Sequence, residues 1–284
     1  RFFAAEYHRE LDELLGKEEA ATTTTRRFKV KAAMGGANLS GSGITTDLNT
    51  LDAAFNEFAA RRRLGQSPNE AFSKLGLFFG DDSVVRAEVF DAMAAVATEC
   101  GMKLEKEPVP EDAGPGYVVF LSRVYPDIRT SLASHPVMVR NLRKLCTVMV
   151  GRDASAKLMA MRLRLKVEAA LITDSHVPVL ADYARALKRV YGLDSIKGTA
   201  AAWEAEINRD ADYTRKRDAG PYPYAPGDRD VLVPSVAQGL GISVEELLLV
   251  ERRLQAAATE RDLASVSIEV DCSGLPDWAA WVPV

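Results

Sequence analysis

Apolar residues along this chain follow two rhythms, and the first is helical. Over residues 3–20, Phe3, Tyr7, Leu11 and Leu14/Leu15 recur at helical spacing and predict an amphipathic helix. Thr22–Thr25 is expected to turn. "RRFKVKA" then alternates basic and apolar residues, predicting a half-exposed strand with Arg27, Lys29 and Lys31 on one face. The glycine-rich "GGANLSGSG" follows as a loop. From Ile44 to about Arg63 the helical rhythm returns: Ile44, Leu48, Leu51, Phe55 and Phe58 step by 4, 3, 4 and 3, predicting one buried stripe. One residue round the cylinder, Thr45, Asn49, Asp52 and Asn56 repeat that spacing as a polar stripe. Such a helix is about 30 Å long.

Beyond it, Ser67-Pro68 caps a short helix to Lys74, and "LFFGDDSVV" (77–85) reads as a hairpin with Gly80, Asp81 and Asp82 at its tip. Residues 86–100 predict a helix ended by Gly101. "MKLEKE" and "GYVVFLSRVYP" are strand candidates separated by a Pro/Gly-rich loop. From Pro136 to about Arg217 the pattern is almost all helical. "DAGPYPYAPGDRD" is a loop, "SVEELLLVERRLQAAA" a helix with Ser243 as cap and Glu246 at the third helical position, and "GLPDWAAWVPV" irregular. The order is mixed α/β to about residue 127, then helical, with no internal repeat.

Composition adds one thing to this pattern. The 284 residues carry a net charge of −4, yet nine Lys/Arg face two acids between Ile128 and Ala170. That segment holds +7 and leaves −11 on the remainder, which points to an anionic partner for one part of the chain. Cys100, Cys146 and Cys272 are far apart with no CxxC, so neither a disulfide framework nor a zinc site is indicated, and a reducing setting fits best. No apolar run reaches the roughly 18–20 residues that span a bilayer. The chain opens on Arg1 directly into an amphipathic pattern and reads as a piece of something longer.

The adjacent acids at the hairpin tip raise the chemical question. Two like charges on a tight turn repel unless a cation lies between them, and the turn lets both carboxylates reach one ion. Magnesium takes one or two carboxylates together with phosphate oxygens, and two such ions serve phosphoryl transfer. Gly-Asp turns are common, so for the tip alone the solvated turn is the better reading. Upstream, however, Ser40-Gly41 opens the loop, with Thr45 five residues on and Asn49 nine residues on, both on the polar face of the helix.

In those residues the sequence resembles the palm of viral RNA-dependent RNA polymerases. "SGSGITTDLNT" is similar to motif B, with Ser, Thr and Asn in register, and "FFGDDSVV" to motif C. The 31 residues from Asn49 to Gly80 suit a palm. The likeness is to the nodavirus and noda-like polymerases of positive-strand RNA viruses, through an "RxFxxEYxxEL"-type helix (Arg1–Leu11), "VxFLSRVYPD" (Val118–Asp127) and "ITDSHVPVLADYA" (172–184). It covers roughly residues 1–184. The resemblance implies an α+β fold: a polymerase palm, an antiparallel sheet with the GDD hairpin and packed helices, followed by an α-helical thumb. On that plan residues 1–127 are partial palm, 128–217 thumb, and 218–284 a C-terminal extension.

By resemblance, Asp81 and Asp82 hold catalytic Mg2+ (or Mn2+), and Asn49, with Ser40, Gly41 and Thr45 around it, bonds the 2′-hydroxyl of the incoming nucleotide. A short amide both donates to and accepts from a hydroxyl. Motif D's lysine, general acid for the leaving pyrophosphate, falls at Lys103 or Lys106, and Lys106 enters the candidate site. Phe120–Arg123 resembles motif E, with Arg123 toward the product strand. Arg140, Arg143 and Lys144 then face duplex phosphates. Ser83, where a Gly often follows GDD in this group, leaves the metal reading intact. Partners implied are template and product RNA, nucleoside triphosphates, and an upstream fingers and motif A part, whose aspartate bridges the metals. The chain alone is therefore expected to be inactive. Membrane association is expected only through that upstream part, at a replication complex in the host cytoplasm. The alternative from another class is a non-catalytic viral RNA-binding or assembly protein in which GDD is only a turn. A P-loop NTPase lacks its Gly-Lys-Ser/Thr after Gly41 or Gly43. A reverse transcriptase shares palm geometry, but Asn49 and the Gly before Asp81 lean toward RNA.

Overall fold

A computed structural model describes residues 8, 9, 12, 13, 16, 22–24, 31–33, 45–106, 109, 113–147, 154–195, 225 and 227–268. The chain divides into two compact units, Arg1–Pro108 and Val109–Val284. Helices dominate, with small antiparallel sheets between them, compatible with the α+β expectation.

In the first unit, His8, Arg9, Asp12, Glu13 and Gly16 are helical and exposed, inside the span predicted as a helix. Strand β1 (Thr22–Thr24) pairs antiparallel with β2 (Lys31–Ala33). Three of the threonines predicted to turn thus form a strand, as suits β-branched residues on a pleat, and the described end of "RRFKVKA", Lys31 and Ala32, pairs with it. The glycine-rich loop, with Ser40 and Gly41, lies outside the described residues. Helix α1 (Thr45–Arg63) matches the predicted span, and α2 (Pro68–Ser73) begins at a capping box. There the Ser67 hydroxyl accepts from the Glu70 amide while Glu70 accepts from the Ser67 amide. β3 (Leu77–Phe79) and β4 (Asp82–Val84) make the hairpin, and α3 (Ala87–Glu99) completes the unit. "MKLEKE" is not a strand over its described residues 102–106.

The face that α1 buries is not the predicted one. Leu51 and Phe55 are 44% and 58% exposed, Leu48 and Phe58 are half-buried, and Ile44 lies outside the described residues. Asn56, Glu57, Ala60 and Arg61 are buried instead. Ala60 packs with Val89, Met93 and Val96 of α3 and with Phe78 of the hairpin, a small residue that lets the helices approach closely. Glu57 and Arg61 are admitted to the interior because they neutralise each other one turn apart, Arg61 Nε donating to Glu57 Oε1 at 2.8 Å.

In the second unit, "GYVVFLSRVYP" is a hairpin: β5 (Val118–Phe120) and β6 (Arg123–Tyr125) are joined by Leu121 and Ser122, and β7 (His135–Pro136) pairs with β6. Leu121 and Ser122 both have positive φ, 53° and 58°, the signature of a type I′ turn made here without glycine. Helices α4 (Met138–Cys146), α5 (Ala156–Thr173) and α6 (Leu180–Val190) follow within the predicted helical stretch, whose residues 196–217 lie outside the described set. Then come α7 (Asp228–Leu240), α8 (Val244–Ala256) and α9 (Glu260–Ser265). α7 takes up the last three residues of the predicted "DAGPYPYAPGDRD" loop, and α8 starts at the predicted Ser243–Glu246 capping box. Met138, Leu187, Val236, Leu247 and Leu263 belong to one buried core, so α7–α9 pack with α4–α6. The irregular ending, residues 274–284, lies outside the described residues.

Candidate active site

The tip of the β3–β4 hairpin has two loop residues, Gly80 and Asp81, because Phe79 pairs with Asp82. Gly80 has φ +63° and Asp81 has no positive φ, the pattern of a type II′ turn, which takes glycine at its first central position. The glycine is therefore required by the turn that sets two acids side by side. Asp81 and Asp82 are exposed, whereas Gly80 is buried. Among the described residues neither carboxylate is in an ion pair. Partial burial, and then the charge of Asp81, push the Asp82 carboxyl above its ordinary pKa. Two adjacent carboxylates, with no cationic partner among the described residues, fit a hard divalent cation that takes its other ligands from phosphate and water. Among the described residues no three His, Cys, Asp or Glu cluster.

This hairpin is hydrogen-bonded to α1. The Gly80 amide donates to Thr50 Oγ1 at 2.7 Å, and the Thr50 hydroxyl donates to the Thr46 carbonyl at 2.6 Å. A Cβ on Gly80 would lie 3.9 Å from the Thr46 methyl. At the other end of β3 the Gly76 amide donates to Glu57 Oε2 at 2.8 Å. Thr50 and Glu57 are about 10 Å apart along the helix, and Gly76 to Gly80 is about 13 Å of strand, so β3 runs beside α1 between the two anchors. Asn49 immediately precedes Thr50. Thr45 and Asn49 are both half-buried, one helical turn apart. The structure thus brings the acidic turn to the N-terminal half of the helix that carries Thr45 and Asn49.

The remaining candidates are placed differently. Lys103 pairs with Glu105 at 2.5 Å, and that contact raises its pKa. Lys106 is exposed, with its ammonium 6.0 Å from the centre of the Phe90 ring of α3, and it pairs with neither Asp81 nor Asp82.

In the second unit, Arg123 is engaged from three directions. Nε donates to Ser134 Oγ at 2.9 Å, and Nη2 donates to the Ser134 carbonyl at 3.0 Å and to Asp174 Oδ1 at 2.9 Å. Its guanidinium ties β6 to the C-terminal end of α5. Arg140 Nη1 donates to Ser122 Oγ at 3.0 Å, bracing the type I′ turn, while Ser122's carbonyl accepts from the Val137 amide. Arg143 is half-buried and Lys144 exposed on α4; partial burial and nearby Arg140 lower the Lys144 pKa. Two functional supports escape sequence reasoning, Thr50 and the Arg123–Asp174 tie. Thr50 stands beside the polar stripe and gives no signal of its own, and Asp174 is 51 residues from its partner.

No family model matches the chain. It is similar to the RNA-directed RNA polymerase of Nodamura virus, 29% identical over 256 residues covering 89% of this chain and 24% of that protein. The polymerase of Macrobrachium rosenbergii nodavirus is 28% identical over 93% of the chain and 25% of its own length. That of Striped jack nervous necrosis virus is 34% identical over 181 residues, 63% of the chain and 18% of its own length. The chain spans about a quarter or less of these curated relatives. Over that stretch, the chain is similar to the nodavirus RNA-directed RNA polymerases.

Proposed function

We propose that this chain serves as the later palm and thumb of an RNA-directed RNA polymerase, with the palm in residues 1–127, the thumb in 128–217 and an extension beyond. The observation that carries the reading is the Gly80–Thr50 hydrogen bond, which holds an acidic type II′ turn against the helix that presents Asn49. The polymerase relatives support the same assignment.

On this reading Asp81 and Asp82 hold magnesium or manganese. Metal bound there would activate the attacking 3′-hydroxyl and neutralise charge on the triphosphate. Asn49 receives the ribose 2′-hydroxyl, donating through its amide and accepting through its carbonyl. By resemblance, Ser40, Gly41 and Thr45 serve that contact. Lys106, on the segment after α3, is the proton donor to the leaving pyrophosphate. Arg140, Arg143 and Lys144 face RNA phosphates. Arg123 serves by fixing the β5–β6 hairpin, through the bonds to Ser134 and Asp174. The rest of the site, including a further metal-bridging aspartate and any membrane attachment, belongs to the remainder of the polymerase, at a replication complex in the host cytoplasm.

The test is Asp81→Asn in the polymerase that contains this chain. Template-dependent nucleotide incorporation should fall by more than about 100-fold, the upper end of what even an outer partner of a metal ligand is worth. Unchanged RNA synthesis would instead favour a non-catalytic RNA-binding or assembly protein.

A further inference from the structure

We propose that Thr50 is a positioning residue that couples ribose recognition to the metal-holding turn, an inference that rests on the polymerase reading above. Its hydroxyl joins two parts of the site by a hydrogen bond. On one side it accepts the Gly80 amide at 2.7 Å, one residue before Asp81 and two before Asp82. On the other it donates to the Thr46 carbonyl at 2.6 Å and stands next to Asn49 on the same helical turn.

The chemistry of the turn makes this contact specific. In a two-residue hairpin loop the closing bonds run between the flanking pair, here Phe79 and Asp82, so the amide of the first loop residue has no partner within the ladder. Gly80 is buried, and a buried amide needs an acceptor. Thr50 supplies it. Thr50's own proton is spent on the helix carbonyl, so its lone pair is aimed at the turn and cannot swing away without breaking both bonds. The other anchor, Glu57 on the Gly76 amide, holds the start of β3, and Thr50 holds the tip.

The consequence is directional. A ribonucleotide that engages Asn49 settles α1 by one residue's reach from Thr50, and the Gly80 amide carries that setting to Asp81 and Asp82. A deoxynucleotide gives Asn49 nothing to hold and leaves the turn less firmly set. Sugar choice is thereby felt in the rate of the chemical step as well as in affinity.

The experiment compares Thr50→Val, which keeps the shape and removes the acceptor, with Thr50→Ser, which keeps the oxygen, in the polymerase that contains this chain. For Thr50→Val, kcat for ribonucleotides should fall about 10- to 100-fold with little change in KM, the scale of a displaced ligand support. The ribo/deoxy ratio of kcat should fall about fivefold or more, the lower range of measured couplings. Thr50→Ser should restore both. An equal loss for both sugars, with the ratio unchanged, overturns the coupling. Asp81→Asn separates the two layers: if it abolishes incorporation while Thr50→Val leaves the ratio intact, only the coupling fails. If incorporation survives Asp81→Asn, the polymerase reading fails and takes the coupling with it. Should Thr50→Val not fold, amide exchange at Gly80 in the unaltered chain decides, since the hydrogen bond requires protection there and free exchange would refute it.

Discussion

Glu57 is fully buried beside Arg61, and three donors meet its two carboxylate oxygens: Arg61 Nε and Nη2 and the Gly76 amide. The exposed Arg63–Glu99 pair, at 2.5 Å like the Arg61 Nη2 contact to Glu57 Oε1, shares its charges with water and adds little to stability. His135 shows the opposite solution, burial of a group as its neutral form. The Pro136 carbonyl can only accept, so Nδ1 carries the proton and donates to it at 2.9 Å, and Nε2 accepts from the Ser235 hydroxyl at 2.9 Å. Burial lowers its pKa to about 4, with nearby Arg123 adding to the shift and Asp174 opposing it. The folded ring stays neutral where the unfolded one, at its ordinary 6.5, takes up a proton. This contribution to stability is therefore complete above pH 6.5 and is lost as pH falls toward 4, a span of about 3 kcal/mol at most. Urea unfolding between pH 5 and 7 should show that slope, and His135→Gln should flatten it.

At the scale of elements, the two hairpins obey one rule by different means. The acidic hairpin spends a glycine on its positive φ; the β5–β6 hairpin forces Leu121 and Ser122 into the same region and holds them with Arg140 and the Val137 amide. A left-handed leucine costs about 1–2 kcal/mol, and asparagine tolerates that conformation better. Leu121→Asn should raise the free energy of unfolding by about 0.5–1 kcal/mol, read from the denaturation midpoint at constant m-value. The glycine turn was legible from "FFGDDSVV" because its chemistry is local. The second turn was not, since "FLSR" contains no residue that favours positive φ and its support comes from α4. Helix α1 was legible in extent but not in facing. Its apolar stripe and the stripe actually buried lie on nearly opposite sides of the helix, about two residues of rotation or roughly 200° apart. Periodicity does not reveal that Glu57 will find the Gly76 amide.

At the scale of the whole molecule, the helical character after residue 127 could be read from periodicity, but the membership of the core could not. Met138 and Leu263 share one core across more than a hundred residues of sequence, so the stretch set aside as an extension supplies three of the packed helices. Local signals, a capping box at Ser243 above all, fix where α8 begins and are silent on what it covers. Among the described residues no single helix is long and apolar enough to cross a membrane. The segment from Ile128 to Ala170 remains the most basic part of the chain, yet its charges are unequal in what they are free to do.

Arg123, just before that segment, gives a measurable contrast with Lys144 inside it, because the Arg123 guanidinium is already matched by Asp174 and Ser134. A side chain so occupied displaces no condensed cation from an RNA backbone, while the exposed Lys144 ammonium is free to do so. Each phosphate neutralised contributes about 0.7–0.9 to the slope of log affinity against log salt concentration. Lys144→Ala should therefore flatten the salt dependence of RNA binding by about that amount, and Arg123→Ala should leave the slope where it was while lowering the melting temperature. Equal flattening by the two substitutions would put Arg123 back on the nucleic acid.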